Sequence, residues 1–125
     1  MATSPILGIP LVSNQQSQPE VTVNESILLL QIALMGCIQL GVNTPPTGSD
    51  GDTYVIGAAP TGAWSGQANK IATYYNDAWL FLPGVDDNGS NIAMGSDQAG
   101  MRIFDNYSDA IYVWDGAAWN EYPTP

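Results

Sequence analysis

Ile27-Leu-Leu-Leu-Gln-Ile-Ala-Leu-Met-Gly-Cys-Ile-Gln-Leu40 is the longest run in the chain without turn-forming or mainly β-branched composition. Immediately upstream, Thr22-Val-Asn-Glu25 has the spacing of a capping box, in which a Thr hydroxyl and a Glu carboxylate satisfy each other's backbone amides. Gly41 follows the last apolar residue, where a left-handed helix stop is cheapest. The pattern predicts a helix over 23–40. Ile27, Leu30, Leu34 and Cys37 share one stripe at three-four spacing, and Leu28, Leu29, Ile32, Met35, Ile38 and Leu40 cover most of the rest. A helix apolar nearly all round has to be buried on more than one side. Fourteen residues broken by two glutamines are short of the roughly 20 that span a bilayer. One stripe is therefore expected to face the chain's own domain. The stripe of Ile27, Leu30, Leu34 and Cys37 is expected to face further copies, in a homo-oligomer with a trimer preferred.

Outward from the helix, residues 1–22 hold Pro5, Pro10 and Pro19, and show no helical period. Proline fixes φ and removes a donor, so an extended arm is expected. Its apolar residues Ile6, Leu7, Ile9, Leu11 and Val12 suit either packing on the same domain or attachment to a neighbouring protein. No basic region followed by an apolar core opens the chain, so no signal peptide is expected.

Residues 41–125 read as a small antiparallel β-domain. Gly41 to Asp52 is turn chemistry, with Pro45-Pro46 and Asp50-Gly51. Thr53-Tyr-Val-Ile56 is a strand, Gly57 to Gly66 is a loop carrying Trp64, and residues 70–82 form two strands around Asn76-Asp77. Three more strands follow at 101–104, 110–114 and 118–122, the last two joined at Asp115-Gly116, a strong hairpin signal. A repeat at a spacing of forty aligns Ile71, Tyr74, Ala78, Trp79 and Pro83 with Ile111, Trp114, Ala118, Trp119 and Pro123. The expected class is α+β: an extended arm, one apolar helix, then hairpins in five or six strands.

Composition removes several functions. Twelve acids against two bases give a net charge of −10. Nucleic-acid binding needs Lys and Arg to replace condensed counterions, so it is set aside. The same charge disfavours an anionic membrane surface. With no histidine, a Ser-His or Cys-His nucleophile and a His-rich metal site are excluded. Gly57-Ala-Ala-Pro-Thr-Gly62 lacks the Lys of a phosphate loop. Asp105, Asp109 and Asp115 sit at turn positions that favour Asp without catalysis. Asp86-Asp-Asn-Gly-Ser-Asn91 lacks calcium-loop spacing. No catalytic residue, cofactor or metal is expected. Cys37 reads as a small hydrophobe. Trp64 and Tyr107 stand as candidate glycan contacts, because amphipathic rings stack on sugars, although aromatics in a small sheet more often form its core.

The motifs Leu7-Gly-Ile-Pro10, Asn14-Gln15 and Glu20-Val-Thr-Val-Asn-Glu25 entering a helix resemble the opening of a domain of unknown function found in tailed phages and gene-transfer agents. Gly51-Asp-x-Tyr54-Val-Ile-Gly57, Thr61-Gly-Ala-Trp64-x-Gly66 and Ile71-Ala72 look like its middle. Tyr112-Val-Trp-Asp-Gly-Ala-Ala-Trp119 looks like its closing hairpin. The resemblance runs over nearly the whole chain, with the motifs in order. It implies a virion component of a tail fibre or baseplate, made in the host cytoplasm, three-fold in assembly, with the N-terminal region attaching to other tail or baseplate proteins. The alternative expectation is a non-catalytic carbohydrate-binding module that meets host-surface glycans.

Overall fold

The computed structural model describes residues 3–11 and 19–123, with the side chains of 19–21 and 32–34 outside the described set. Helix α1 spans Pro19–Leu34, about 24 Å at 1.5 Å per residue. It starts and stops earlier than the expected 23–40. Pro19 suits a first turn, where its missing N–H has no intrahelical role. Thr22 therefore lies inside the helix rather than capping it. The Ser26 hydroxyl lies 2.8 Å from the Thr22 carbonyl and also reaches the Pro10 carbonyl.

The early stop has a tertiary cause. A Cβ on Gly36 would lie 2.6 Å from the Phe104 carbonyl oxygen and 2.7 Å from Asn106 Nδ2. Only glycine lets the two backbones meet there. The Cys37 N–H then donates to the Phe104 carbonyl at 2.8 Å, and the Asn106 N–H donates back to the Cys37 carbonyl at 3.0 Å. From there the chain continues as strand β1, Gln39–Val42. Tertiary pairing overrides the helix-forming composition of 35–40: Cys37 bridges to Asp105, and Gln39 and Leu40 pair with Tyr54 and Val55.

Six further strands follow among the described residues: β2 Thr53–Ile56, β3 Ile71–Tyr75, β4 Ala78–Leu82, β5 Arg102–Asp105, β6 Ala110–Trp114 and β7 Trp119–Tyr122. They form a four-stranded sheet in the order β1-β2-β3-β4 and a three-stranded sheet in the order β5-β6-β7. Only β1 and β2 run parallel; the other neighbours are antiparallel. The α+β class is as expected, and β1 is the strand that helix-like composition concealed. Asn76 and Asp77, at φ 53° and 63°, make the left-handed two-residue turn that matches strand twist.

The repeat is a repeat in space. Ile71 pairs with Leu82 and Tyr74 with Trp79; forty residues on, Ile111 pairs with Tyr122 and Trp114 with Trp119. The aromatic pairs meet edge to face, with ring centroids 5.0 Å and 5.7 Å apart.

The main core gathers Leu29 of α1, Cys37, Val55, Ile71, Leu82 and Ile103. A second cluster lies on the other face of the first sheet, formed by Ile56, Trp64 and Ala72 with Tyr54, Trp79 and Phe81 against them. Residues 3–11 do not run out as an extended arm. Thr3 bridges to Pro10, and the Ser4 N–H donates to the Ile9 carbonyl at 2.8 Å, closing a turn. That turn is tied to its own domain. The Gly84 N–H donates to the Leu7 carbonyl at 2.7 Å, and Gln98 Nε2 donates to the Ile6 carbonyl at 2.8 Å.

Candidate functional site

The feature that stands out is an open apolar surface along α1. On a helical projection, Thr22 and Leu29 fall on one side and are buried, whereas Val23, Ile27 and Leu30 fall together on the other and are exposed. Ile27 is 57% and Leu30 53% exposed. Polar neutral residues, Asn24, Ser26 and Gln31, flank this stripe. Two shallow hollows extend it. One lies between the stripe and Ile9, Pro10 and Leu11 of the N-terminal turn. The other lies between Ile27, Leu30, Gln31 and Met35. In a chain carrying twelve acids, an exposed apolar stripe free of acids is a candidate contact surface.

Of the four expected interface residues, the structure brings Ile27 and Leu30 together on this surface. Leu34 closes the helix, and its side chain lies outside the described residues. Cys37 is a correction. It is off the helix and buried in the main core, so it does not share the stripe. Its thiol is pushed up from 9.0 to about 12, first by burial and then by the nearby Asp105 carboxylate. Asp105 in turn accepts from the Tyr107 N–H at 3.0 Å and the Ser108 hydroxyl at 2.8 Å, so it shapes the β5–β6 turn.

The arm residues divide in the same way. Leu7 and Ile9 pack against the main core, Ile6 and Leu11 are exposed, and Val12 lies outside the described residues. Leu11 belongs to the hollow beside α1, which joins arm and helix into one surface.

The two glycan candidates separate sharply. Trp64 is 0% exposed, with Tyr54 and Trp79 rings 5.9 Å and 5.0 Å away. It is core, so it has no face left for a sugar, and that expectation is corrected. Tyr107 is 75% exposed at the tip of the β5–β6 turn. Among the described residues no group of three or more Cys, Asp or Glu side chains is arranged to hold a metal ion. Nor is any helix long and apolar enough to cross a membrane.

The sequence reading missed Val23 and Met35 as parts of the surface. It also missed Phe104, Ile111 and Tyr122, large apolar residues exposed on the second sheet. The forty-residue repeat aligns Ile111 with Ile71, which is buried in the main core, so it carries no sign that Ile111 is exposed.

No curated protein and no solved structure matches this chain. Residues 23–120, from within α1 into β7, match the family model described as Protein of unknown function (DUF2793). That match takes in both sheets and most of the helix, and the chain belongs to the DUF2793 family.

Proposed function

We propose that this protein is a non-catalytic structural component of a tailed-phage virion, in the tail fibre or baseplate, that trimerises and attaches through its N-terminal region. The observation that carries the assembly is the stripe of Val23, Ile27 and Leu30, apolar, free of acids and open to solvent. Exposed apolar area of this kind marks a surface that another protein covers. A chain of net charge −10 repels its own copies except where the charge is absent. The hollow lined by both α1 and Leu11 supports attachment through the N-terminal region, since it joins the N-terminal turn to that surface. The virion assignment and the three-fold symmetry rest on the resemblance of the motifs along the chain to the tail domain.

Light scattering at micromolar concentration is expected to return a trimer for the unaltered protein. Ile27→Asp is expected to return a folded monomer, because a charge on the stripe loses its hydration when the surface is covered. A folded monomer for the unaltered protein overturns the assembly. Mass spectrometry of purified particles, expected to find the chain in the virion, tests its location.

A second reading, a host-surface glycan module, is favoured by the exposed Tyr107 ring. It expects glycan-array binding that Tyr107→Ala abolishes with the fold intact. An array showing no binding removes it.

A further inference from the structure

We propose that the outer face of the second sheet, the row Phe104–Ile111–Tyr122, is the seat for the α1 stripe of a second copy of this chain. The proposal rests on the oligomeric reading above and specifies which surfaces meet.

Three observations carry it. First, the row is continuous: Phe104 pairs with Ile111, and Ile111 with Tyr122, so three large side chains stand side by side across three strands, and all three are exposed. Second, the repeat names the counterpart of this row in the first sheet. Val55 pairs with Ile71, and Ile71 with Leu82. That row is buried, and what lies against it includes Leu29 of α1. The fold thus already contains a helix seated on this row, once, within the chain. The second row has no such cover among the described residues, while α1 shows a second apolar side open to solvent. Third, the charges agree. By strand alternation the outer face of the second sheet holds residues 102, 104, 111, 113, 120 and 122. None is an acid, and Arg102 is one of only two bases in the chain. The stripe on α1 is likewise free of acids. These two faces are apolar and neutral or basic in a strongly acidic molecule, so they meet each other without repulsion.

The contact is heterologous: the helix of one copy meets the sheet of the next, and each copy offers both halves. Such contacts close into rings when the rotation allows, and three copies would close the trimer. A helix-to-helix seam on a shared axis is the competing geometry.

The test mixes two single variants, Leu30→Cys and Ile111→Cys, distinguished by a mass tag, under mild oxidation. Cys37 is buried and remains in place. The expected product is a disulfide-linked pair of one Leu30→Cys chain with one Ile111→Cys chain, with neither variant linking to itself. Self-linked Leu30→Cys chains without the mixed pair, alongside a trimer in light scattering, would overturn the helix-on-sheet contact and leave the oligomer standing. A monomer with no linkage removes both. The unaltered protein provides a second measurement. Oxidative labelling of Phe104 and Tyr122 is expected to fall as concentration rises through the association range. Unchanged labelling across that range also overturns the proposal.

Discussion

Lys70, one of two bases in the chain, is 1% exposed, and its ammonium donates to the neutral Asn91 side-chain carbonyl at 2.7 Å. Burial lowers it from 10.5 to about 8, since the charged form loses hydration. Between those values the unfolded chain holds the proton more firmly, so stability contributed at this site rises with pH. Cys37 acts oppositely. Its folded value of about 12 against 9.0 means that the folded state keeps the thiol proton, and stability falls as pH climbs from 9 to 12. Urea midpoints are therefore expected to rise from pH 8 to pH 9 and to lose that gain at higher pH. Lys70→Met should abolish the rise, because it removes the group that titrates and leaves only the exposed Asn91 without its partner. An unchanged slope in that variant would contradict the account. None of this was legible beforehand. Lys70 sits at a strand start, where the sequence alone does not say whether a lysine points into the protein.

Among the elements, α1 illustrates what a sequence states and what it leaves open. Its existence and apolar character were readable, as were the hairpins, because Asp115-Gly116 and Asn76-Asp77 carry their own turn chemistry. Its end was not readable, because the residue that decides it, Gly36, is constrained by Phe104 and Asn106 rather than by its neighbours. Cys37 falls on the stripe only in a helix that runs past Leu34. The same reasoning ranks substitutions. Leu29→Ala, in the main core, is expected to cost about 3 kcal/mol of folding stability. Leu30→Ala, on the open side, should cost under about 1 kcal/mol in the isolated chain. Gly36→Ala should cost about 2 kcal/mol, since the Phe104 backbone and the Asn106 side chain must move to admit the methyl group. Chemical denaturation of the three variants at a dilution where the chain is monomeric checks the order. Leu30→Ala proving costlier than Leu29→Ala would mean the helix is turned the other way.

At the scale of the molecule, each sheet contains one copy of a repeated hairpin, β3–β4 and β6–β7, and the chain belongs to a family whose model takes in both sheets. If copies associate through α1, the thermal midpoint should rise with protein concentration, by mass action on the folded state. In Ile27→Asp it should be independent of concentration, and scanning calorimetry over a hundredfold dilution series separates the two cases. The segment from Gly36 to Val42 has a kinetic consequence as well. Its first residues pair with β5, near residue 105, and its last with β2, near residue 54. The hairpins of both sheets can therefore form locally, while docking of the second sheet on Cys37 waits on closure of a loop nearly seventy residues long, between Cys37 and Asn106. On the ribosome α1 emerges long before the strands it rests beside. Throughout that interval both its sides are uncovered, and the nascent chain is then most prone to join its neighbours on the same messenger.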